Sequence, residues 1–373
     1  MTEWFVSCNP KKYDIMTAFR ELGTIDWRQS TNVAAGDIVY IYVSGDIAAV
    51  KFKCKANKVD ITAPDIDDSK YDLSGEFDGS YGRYMELEMI EELQGSLYGR
   101  SEMEKHGFGT PQSPVRVPAE VKEYLDIVQA LQHSEEIDPD KHDGCYEFMR
   151  EIIRSYSCLN DYSQIDYKDL NLVFFSCAGT WRYGFDKKKR DIQESHLPQT
   201  EKDRLLSVFE SIYNKAQNSF YDNENDKQPS IGMFGVGFRS FLGKADEESS
   251  RKFIKMCVEI SQMQDDEKAF DRCAEVLTSA FRGMRSAAAS VTLHTLRPTV
   301  FPILNRNGGH GNIFTYFGLP LRRIANLETY VENCRIIKDF RDNNFNVRNY
   351  RVFDLVARDL SLSDSAEDID MDD

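Results

Sequence analysis

The chain has 373 residues, 41% of them hydrophobic, and a formal net charge of −16 at pH 7. This length and composition are typical of a folded protein of two or three domains whose cores need neither disulfides nor metals. The acidic balance excludes a protein that coats nucleic acid nonspecifically, because such binding requires a basic surface. A local basic site is compatible with this negative net charge.

Membrane proteins and metalloproteins are also disfavoured. No run approaches the roughly twenty apolar residues of a membrane span, and the N-terminus lacks a signal sequence, so we expect a cytoplasmic protein without a membrane partner. The eight cysteines are scattered, with no CxxC pair and no Cys/His cluster at metal-ligand spacing. They indicate reduced thiols, and we expect neither a metal nor a cofactor.

The N-terminal third reads as mixed α/β. Alternating apolar residues predict four strands, at 3–7, 37–43, 47–59 and 83–91. An amphipathic helix is predicted near 13–22, and the acidic stretch 60–78 is predicted to be a loop. Pro118 favours the start of a helix that closes this domain, and the polar segment 132–141 is the predicted boundary.

Aromatic and small polar residues recur in this third. Tyr40 and Tyr42 alternate along one predicted strand and so share a face, while Trp27 follows the first helix. Flat aromatic faces stack on a planar base, and Ser7 and Asn9, after the first strand, offer hydrogen bonds to its edge. Ordinary core packing is the alternative interpretation of one tryptophan and two tyrosines. The pattern therefore predicts a pocket for a flipped or unpaired nucleobase.

Segments 4–10, 26–29, 36–43 and 105–118 resemble the EVE domain. This PUA-like family is related to YTH and ASCH domains, and its members read modified bases. The resemblance runs from Trp4 to about Leu125. It implies a small β-barrel with flanking helices. It also implies a pocket for a modified base, lined by Ser7, Asn9, Trp27, Tyr40 and Tyr42.

Basic residues near this pocket are candidates for phosphate contacts. Lys51, Lys53 and Lys55 alternate along a predicted strand and point to one face, and Arg28 directly follows Trp27. A solvated strand face explains the lysines equally well. We predict phosphate contacts from Arg28, Lys51 and Lys53, and a further contact from Arg285 in the second half of the chain.

The second half reads as mainly helical. Periodic apolar residues predict its longer helices, at 145–158, 200–218, 248–262, 266–281 and 327–341. The predicted fold is α+β, with a PUA-like domain at 1–127, a mainly helical domain at 143–362 and an acidic disordered tail at 363–373.

One region of the helical half resembles a known architecture. Segment 274–290 reads as a helix, a glycine turn and a second helix, which is typical of a helix-hairpin-helix that holds a DNA backbone. Arg282, Arg285 and Arg297 would supply its positive charge, although tight packing of small residues is the alternative. Together with 293–305, this segment resembles the helical region upstream of the ATPase in McrB-like restriction proteins.

Motifs for catalysis are missing from the sequence. There is no phosphate-binding GxxxxGKS/T loop, and the glycine-rich run 232–239 lacks the lysine such a loop requires. Neither an HNH nor a PD-(D/E)xK pattern occurs. We therefore predict a reader rather than an enzyme.

The leading hypothesis is the specificity component of a modification-dependent restriction or defence system. It binds a modified base, in DNA rather than RNA, and works with a separate ATPase or nuclease effector. The alternatives are an RNA-binding adaptor and a nuclease or glycosylase-like enzyme with its active site in the helical half.

Overall fold

The structure is a computed structural model that describes residues 1–75, 82–134, 144–173, 181–219, 237–278, 281–304, 313–324 and 326–359. The chain divides into two compact units, Met1–Gln129 and Ala130–Asp373. A mixed sheet forms the first unit and helices form the second, so the predicted α+β class is confirmed. The domain limits and their functional labels stay a prediction.

A six-stranded sheet of order β2-β5-β4-β3-β1-β6 is the framework of the first unit. Its strands are β1 (Glu3–Cys8), β2 (Thr24–Arg28), β3 (Ile38–Val43), β4 (Ala49–Ile61), β5 (Tyr84–Glu92) and β6 (Val115–Arg116). β1 pairs in parallel with β3, and the remaining neighbours pair antiparallel. The four predicted strands are present, whereas β2 and β6 were not predicted.

One face of this sheet carries an apolar core. Val6, Val39 and Ile41 alternate along β1 and β3 and pack in one buried cluster with Ile25 of β2 and Phe52 of β4. Because side chains alternate along a strand, these residues all lie on one face of the sheet. The core thus fixes the register of the strands that carry the predicted site.

Helix α1 (Ile15–Leu22) packs against this core. It starts at Asp14, whose side chain accepts a hydrogen bond from the Thr17 N–H at 3.1 Å. It ends at Gly23, whose φ of 71° lies in the left-handed region that a glycine adopts without strain. These two caps set the connection from β1 to β2.

The opposite face of the sheet is also buried. Tyr40 and Tyr42 of β3 join Phe5 of β1 and Phe108, with ring centroids 5.7 Å apart for Phe5–Tyr40 and 5.5 Å for Tyr42–Phe108. Helix α2 (Arg100–Met103) precedes this phenylalanine, and α3 (Ala119–Gln132) follows it. Both faces of β3 are therefore interior.

Asp37, just before β3, joins three segments of the first unit. Its carboxylate is buried and accepts hydrogen bonds from Thr2 N (2.8 Å), Trp4 Nε1 (3.0 Å) and Ala34 N (3.0 Å). Burial by itself would raise the pKa of Asp37, but these hydrogen bonds outweigh it, and the pKa is lowered. The anion is therefore part of the folded structure.

The second unit contains helices, and no strand, within its described residues. After α3, its helices are α4 (Gly144–Tyr156), α5 (Tyr167–Val173), α6 (Trp181–Glu194), α7 (Gln199–Ser219), α8 (Gly237–Leu242), α9 (Glu247–Gln262), α10 (Asp266–Val276), α11 (Ser286–Leu296), α12 (Ile313–Tyr316), α13 (Tyr330–Asn344) and α14 (Arg351–Asp359). The five predicted longer helices correspond to α4, α7, α9, α10 and α13. Aspartates cap two of them: Asp246 accepts from Ser249 N at 2.8 Å, and Asp265 accepts from Lys268 N at 3.1 Å.

Gly283 lies in the turn between α10 and α11, with φ of 84°, and packs against Ser240 of α8. A Cβ at this position would lie 2.5 Å from the Ser240 carbonyl oxygen. We expect Gly283→Ala to destabilise the protein by about 2 to 4 kcal/mol, because it adds a backbone clash to an unfavourable φ. Thermal unfolding measures the change.

A matched control separates the two effects. Gly318 also has positive φ, of 68°, but a Cβ there has nothing within 4 Å. Gly318→Ala is expected to cost only about 1 kcal/mol, from φ alone. Equal losses for the two variants would contradict the close packing of Gly283.

Two segments named in the sequence analysis lie outside the described residues. These are the acidic tail 363–373 and the greater part of the glycine-rich run 232–239. The last residues of that run begin α8.

Candidate functional site

A cavity of about 370 Å³ opens in the first unit, within the size range of small-ligand pockets. β2 and the segment directly before β6 both line it, although β2 and β6 are the two ends of the sheet order. The sheet therefore curls to bring its ends to one cavity, as in a small barrel. The lining residues are Val6, Ser7, Lys12, Tyr13, Asp26, Trp27, Arg28, Ser30, Asp68, Asp72, Ser74, Gln112, Ser113 and Pro114.

Two aromatic rings form a corner of this cavity. The centroids of Tyr13 and Trp27 are 5.7 Å apart, and the ring planes meet at 81°. A planar ligand that stacks on the face of one ring meets the other ring edge-on, a favourable aromatic arrangement. Trp27 is only partly buried, so part of its surface remains available.

Tyr13 is held in place by a buried carboxyl group. Its hydroxyl donates to Asp68 Oδ2 at 2.7 Å. Burial, followed by this hydrogen bond, raises the pKa of Tyr13, so the phenol stays protonated and acts as a donor. Burial also raises the pKa of Asp68, although the bond from Tyr13 opposes that shift. The pair fixes the aromatic corner.

Asp26 lies beside Trp27 in β2 and lines the same cavity. Its Oδ2 accepts hydrogen bonds from the backbone N–H groups of Asp65 (2.7 Å) and Ile66 (2.9 Å). Its Oδ1 is buried and has no hydrogen-bond partner within the described part of the chain. Such an oxygen costs about 1–3 kcal/mol of desolvation, which a donor on a ligand would recover.

Charge is distributed unevenly around the cavity. The acidic Asp26 and Asp68 are buried and Asp72 is half-buried, whereas the basic Lys12 and Arg28 are exposed. A ligand with hydrogen-bond donors on its inner part and an anionic group on its outer part matches this arrangement. A nucleotide unit has both.

Two of the predicted base-binding residues, Ser7 and Trp27, line the cavity, and so does the predicted phosphate contact Arg28. Asn9 does not line it. Asn9 is exposed, and its Oδ1 accepts a hydrogen bond from Lys11 N at 3.0 Å. It thereby shapes the turn that leads to Tyr13.

Tyr40 and Tyr42 are also outside the cavity lining. They are 1% and 2% exposed, and they lie on the face of β3 opposite the core cluster. Alternation along β3 places both on one face, but the sequence does not show that α3 and Phe108 cover it. The aromatic partner of Trp27 in the cavity is Tyr13.

The lysines of β4 make internal hydrogen bonds. Lys51 Nζ donates to the Leu93 carbonyl at 3.0 Å, and Lys53 Nζ donates to Gln129 Oε1 of α3 at 2.7 Å. Neither lines the cavity. Their predicted phosphate contacts therefore have no support from the cavity geometry.

The glycine turn of the second unit carries the arginines predicted to contact DNA. Arg282 and Arg285 are exposed, and Arg285 directly precedes α11. Arg297 is committed to an ion pair, with Nη2 2.8 Å from Asp266 Oδ1. The close approach of Gly283 to Ser240 accounts for the small residue in the turn.

Tyr13, Asp26 and Asp68 are among the cavity residues that had no role in the sequence prediction. Asp26 is adjacent to Trp27, and both lie in β2, a strand that was not predicted although Ile25 and Trp27 alternate with polar residues there. Asp68 belongs to the acidic stretch predicted as a loop, and its partner Tyr13 is distant in sequence.

A second polar cluster lies in the helical unit. Asp166, Asp169 and His196 place potential ligand atoms within 4.8 Å of one another. Both oxygens of the buried Asp169 are already satisfied: Oδ1 accepts from Tyr156 Oη (2.7 Å) and His196 N (2.9 Å), and Oδ2 contacts His196 Nδ1 (2.8 Å) and accepts from Asp166 N (3.0 Å). These bonds tie α5 to the residues after α6 and account for the cluster.

Within the described residues, no helix is both long enough and apolar enough to cross a membrane.

Comparison with protein-family models and with curated protein sequences finds no match. Among solved structures, the chain is similar to ASCH from Zymomonas mobilis, at 12% identity and a TM-score of 0.26, over 33% of this chain and 93% of that one. Two mutants of the same protein give 12% identity and TM-scores of 0.27, over 33% and 34% of this chain and 94% and 96% of theirs. These scores are too low to carry an argument, so the function is inferred from the geometry.

Proposed function

We propose that this chain binds nucleic acid by taking a flipped or unpaired base, one that carries a modification, into the cavity of its first unit. Trp27 and Tyr13 provide the aromatic surface, Ser7 and Asp26 contact the edge of the base, and Arg28 meets the flanking phosphate. The first unit is then a PUA-like reader domain of the EVE type, as the sequence resemblance implies.

The aromatic corner beside a buried, unsatisfied carboxylate oxygen is the observation that carries this proposal. Trp27 and Tyr13 offer planar surfaces, and Asp26 Oδ1 offers an acceptor that no described residue uses. Stacking on an aromatic side chain contributes about 1–3 kcal/mol per base, enough to offset much of the cost of flipping a base from a duplex. A cavity of about 370 Å³ holds a single ligand of that kind.

The positive charge at the cavity supports a ligand that has a phosphate backbone. Lys12 and Arg28 are exposed at the cavity, although the whole chain carries a net charge of −16. Binding through a few phosphates and one base suits an acidic protein better than binding through a broad basic surface. DNA is the proposed polymer.

We place this reader in a modification-dependent restriction or defence system, as its specificity component. That role rests on the resemblance of the two halves to EVE and McrB-like proteins. It implies a separate ATPase or nuclease effector, because the sequence holds no motif for either activity. The exposed Arg282 and Arg285 of the second unit are the proposed second contact with the duplex or the effector.

Fluorescence anisotropy at fixed salt tests the proposal. Labelled DNA and RNA oligonucleotides carry one central base, either unmodified or modified as 5-methylcytosine, 5-hydroxymethylcytosine or N6-methyladenine. We expect at least one modified DNA strand to bind about tenfold more tightly than its unmodified counterpart. Preference for RNA would favour the adaptor alternative, and equal affinity for all strands would refute modified-base reading.

A further inference from the structure

Asp26 suggests which chemical class of base the cavity takes, an inference that rests on the proposed function. Its Oδ2 is fixed by two backbone N–H groups, from Asp65 and Ile66. The remaining oxygen, Oδ1, is therefore held in one direction, because a turn of the carboxylate would break both bonds. Asp26 lines the cavity and is only 2% exposed, so Oδ1 is a buried acceptor on a cavity-lining side chain.

We propose that Asp26 Oδ1 accepts a hydrogen bond from the exocyclic amino group of the bound base, so that the cavity selects cytosine-type or adenine-type bases. A buried acceptor is reached by a group that projects beyond the ring, as an exocyclic amine does and a ring N–H does not. Aspartate and glutamate accept from the cytosine amino group in the same way in DNA readers.

The same geometry rejects bases that carry a carbonyl, instead of the amino group, at C4 of a pyrimidine or C6 of a purine. Thymine and hypoxanthine carry an oxygen where 5-methylcytosine and adenine carry the amine. That oxygen would face the Asp26 oxygen with no proton between them, leaving two acceptors buried and unsatisfied. Discrimination therefore comes from one atom of the protein and one substituent of the base.

An asparagine at position 26 should reverse this preference. Its single oxygen is required at the position of Oδ2, where the N–H groups of Asp65 and Ile66 donate. The amide NH₂ must then occupy the position of Oδ1. A donor replaces an acceptor there, so a carbonyl becomes the matching group.

The experiment measures the affinity of the full chain and of Asp26→Asn for matched single-stranded DNA oligonucleotides. One pair carries 5-methylcytosine or thymine at the central position, and the other carries N6-methyladenine or hypoxanthine. In each pair that the wild type binds, we expect the oligonucleotide whose central base carries the amino group to bind about tenfold more tightly than the one whose base carries the carbonyl. Asp26→Asn should lose this preference and favour the carbonyl member.

Controls distinguish failure of this inference from failure of the proposed function. Asp46→Asn makes the same change of charge at an exposed residue outside the cavity lining, and it should keep the wild-type preference. Equal affinity for amino and carbonyl members, together with weaker binding by Trp27→Ala, would overturn the role of Asp26 alone. Affinities that Trp27→Ala leaves unchanged would overturn the base-binding cavity as well.

Discussion

Replacement of Trp27 by alanine is expected to weaken binding of a modified oligonucleotide about 5- to 150-fold, which corresponds to the loss of roughly 1–3 kcal/mol of stacking. The indole forms the aromatic corner with Tyr13, 5.7 Å away, and lines the cavity. Affinity for an unmodified strand should fall less, because phosphate contacts dominate nonspecific binding. Anisotropy titrations of both strands at the same salt concentration measure the two changes.

Two further variants make this result interpretable. Trp27 packs partly against the core cluster, so Trp27→Ala also removes some packing. Trp27→Phe keeps an aromatic face with a smaller loss of volume. The phenylalanine variant should retain much of the preference for the modified strand over the unmodified one. Tyr167→Ala removes an aromatic side chain that is 54% exposed in the second unit, and binding should not change. A folded Trp27→Ala variant with wild-type affinity would contradict the cavity assignment.

The sequence was sufficient to predict the elements whose residues follow a simple period. Alternating apolar residues are visible in the sequences of β1, β3, β4 and β5, and helical apolar patterns are visible in the longer helices of the second unit. β2 also alternates, with polar Thr24, Asp26 and Arg28 around Ile25 and Trp27, but it was not predicted because the pattern covers only five residues. β6 has two residues and is defined only by its pairing with β1.

The candidate site was predictable only in part, for a related reason. Trp27 stood out by residue type, but its neighbours in the cavity depend on how the sheet curls. Tyr40 and Tyr42 had the residue types of a base-binding pocket and are buried by partners that join them from distant segments, such as Phe108. Tyr13 meets Asp68 across a long sequence separation, which no local pattern encodes.

Loss of the Asp37 carboxylate is expected to destabilise the first unit by about 3 to 4 kcal/mol. Asp37→Ala leaves three donors without their acceptor, namely Thr2 N, Trp4 Nε1 and Ala34 N, and at least the indole N–H is buried. Each hydrogen bond to a charged group contributes about 1.5–3 kcal/mol, and part of that is regained where water replaces the carboxylate. Chemical unfolding followed by circular dichroism measures the difference. Asp14→Ala removes a helix cap that accepts a hydrogen bond from Thr17 N, and it should cost only about 1 kcal/mol.

The pH dependence of this difference provides an independent test. Because the folded-state pKa of Asp37 is lowered, its charged form stabilises the protein fully above the unfolded-state pKa of about 3.9, and this contribution disappears as the pH falls through the folded-state value. The gap in stability between the wild type and Asp37→Ala should therefore be constant from pH 7 to about pH 5 and narrow below about pH 4. A gap that stays constant in acid would show that packing, and not the anion, accounts for the effect. The Asp37 carboxylate holds the N-terminal end of β1 beside the start of β3, and β1 carries Ser7 to the cavity. A gap that narrows in acid would therefore show that protonation of Asp37 weakens the attachment of β1.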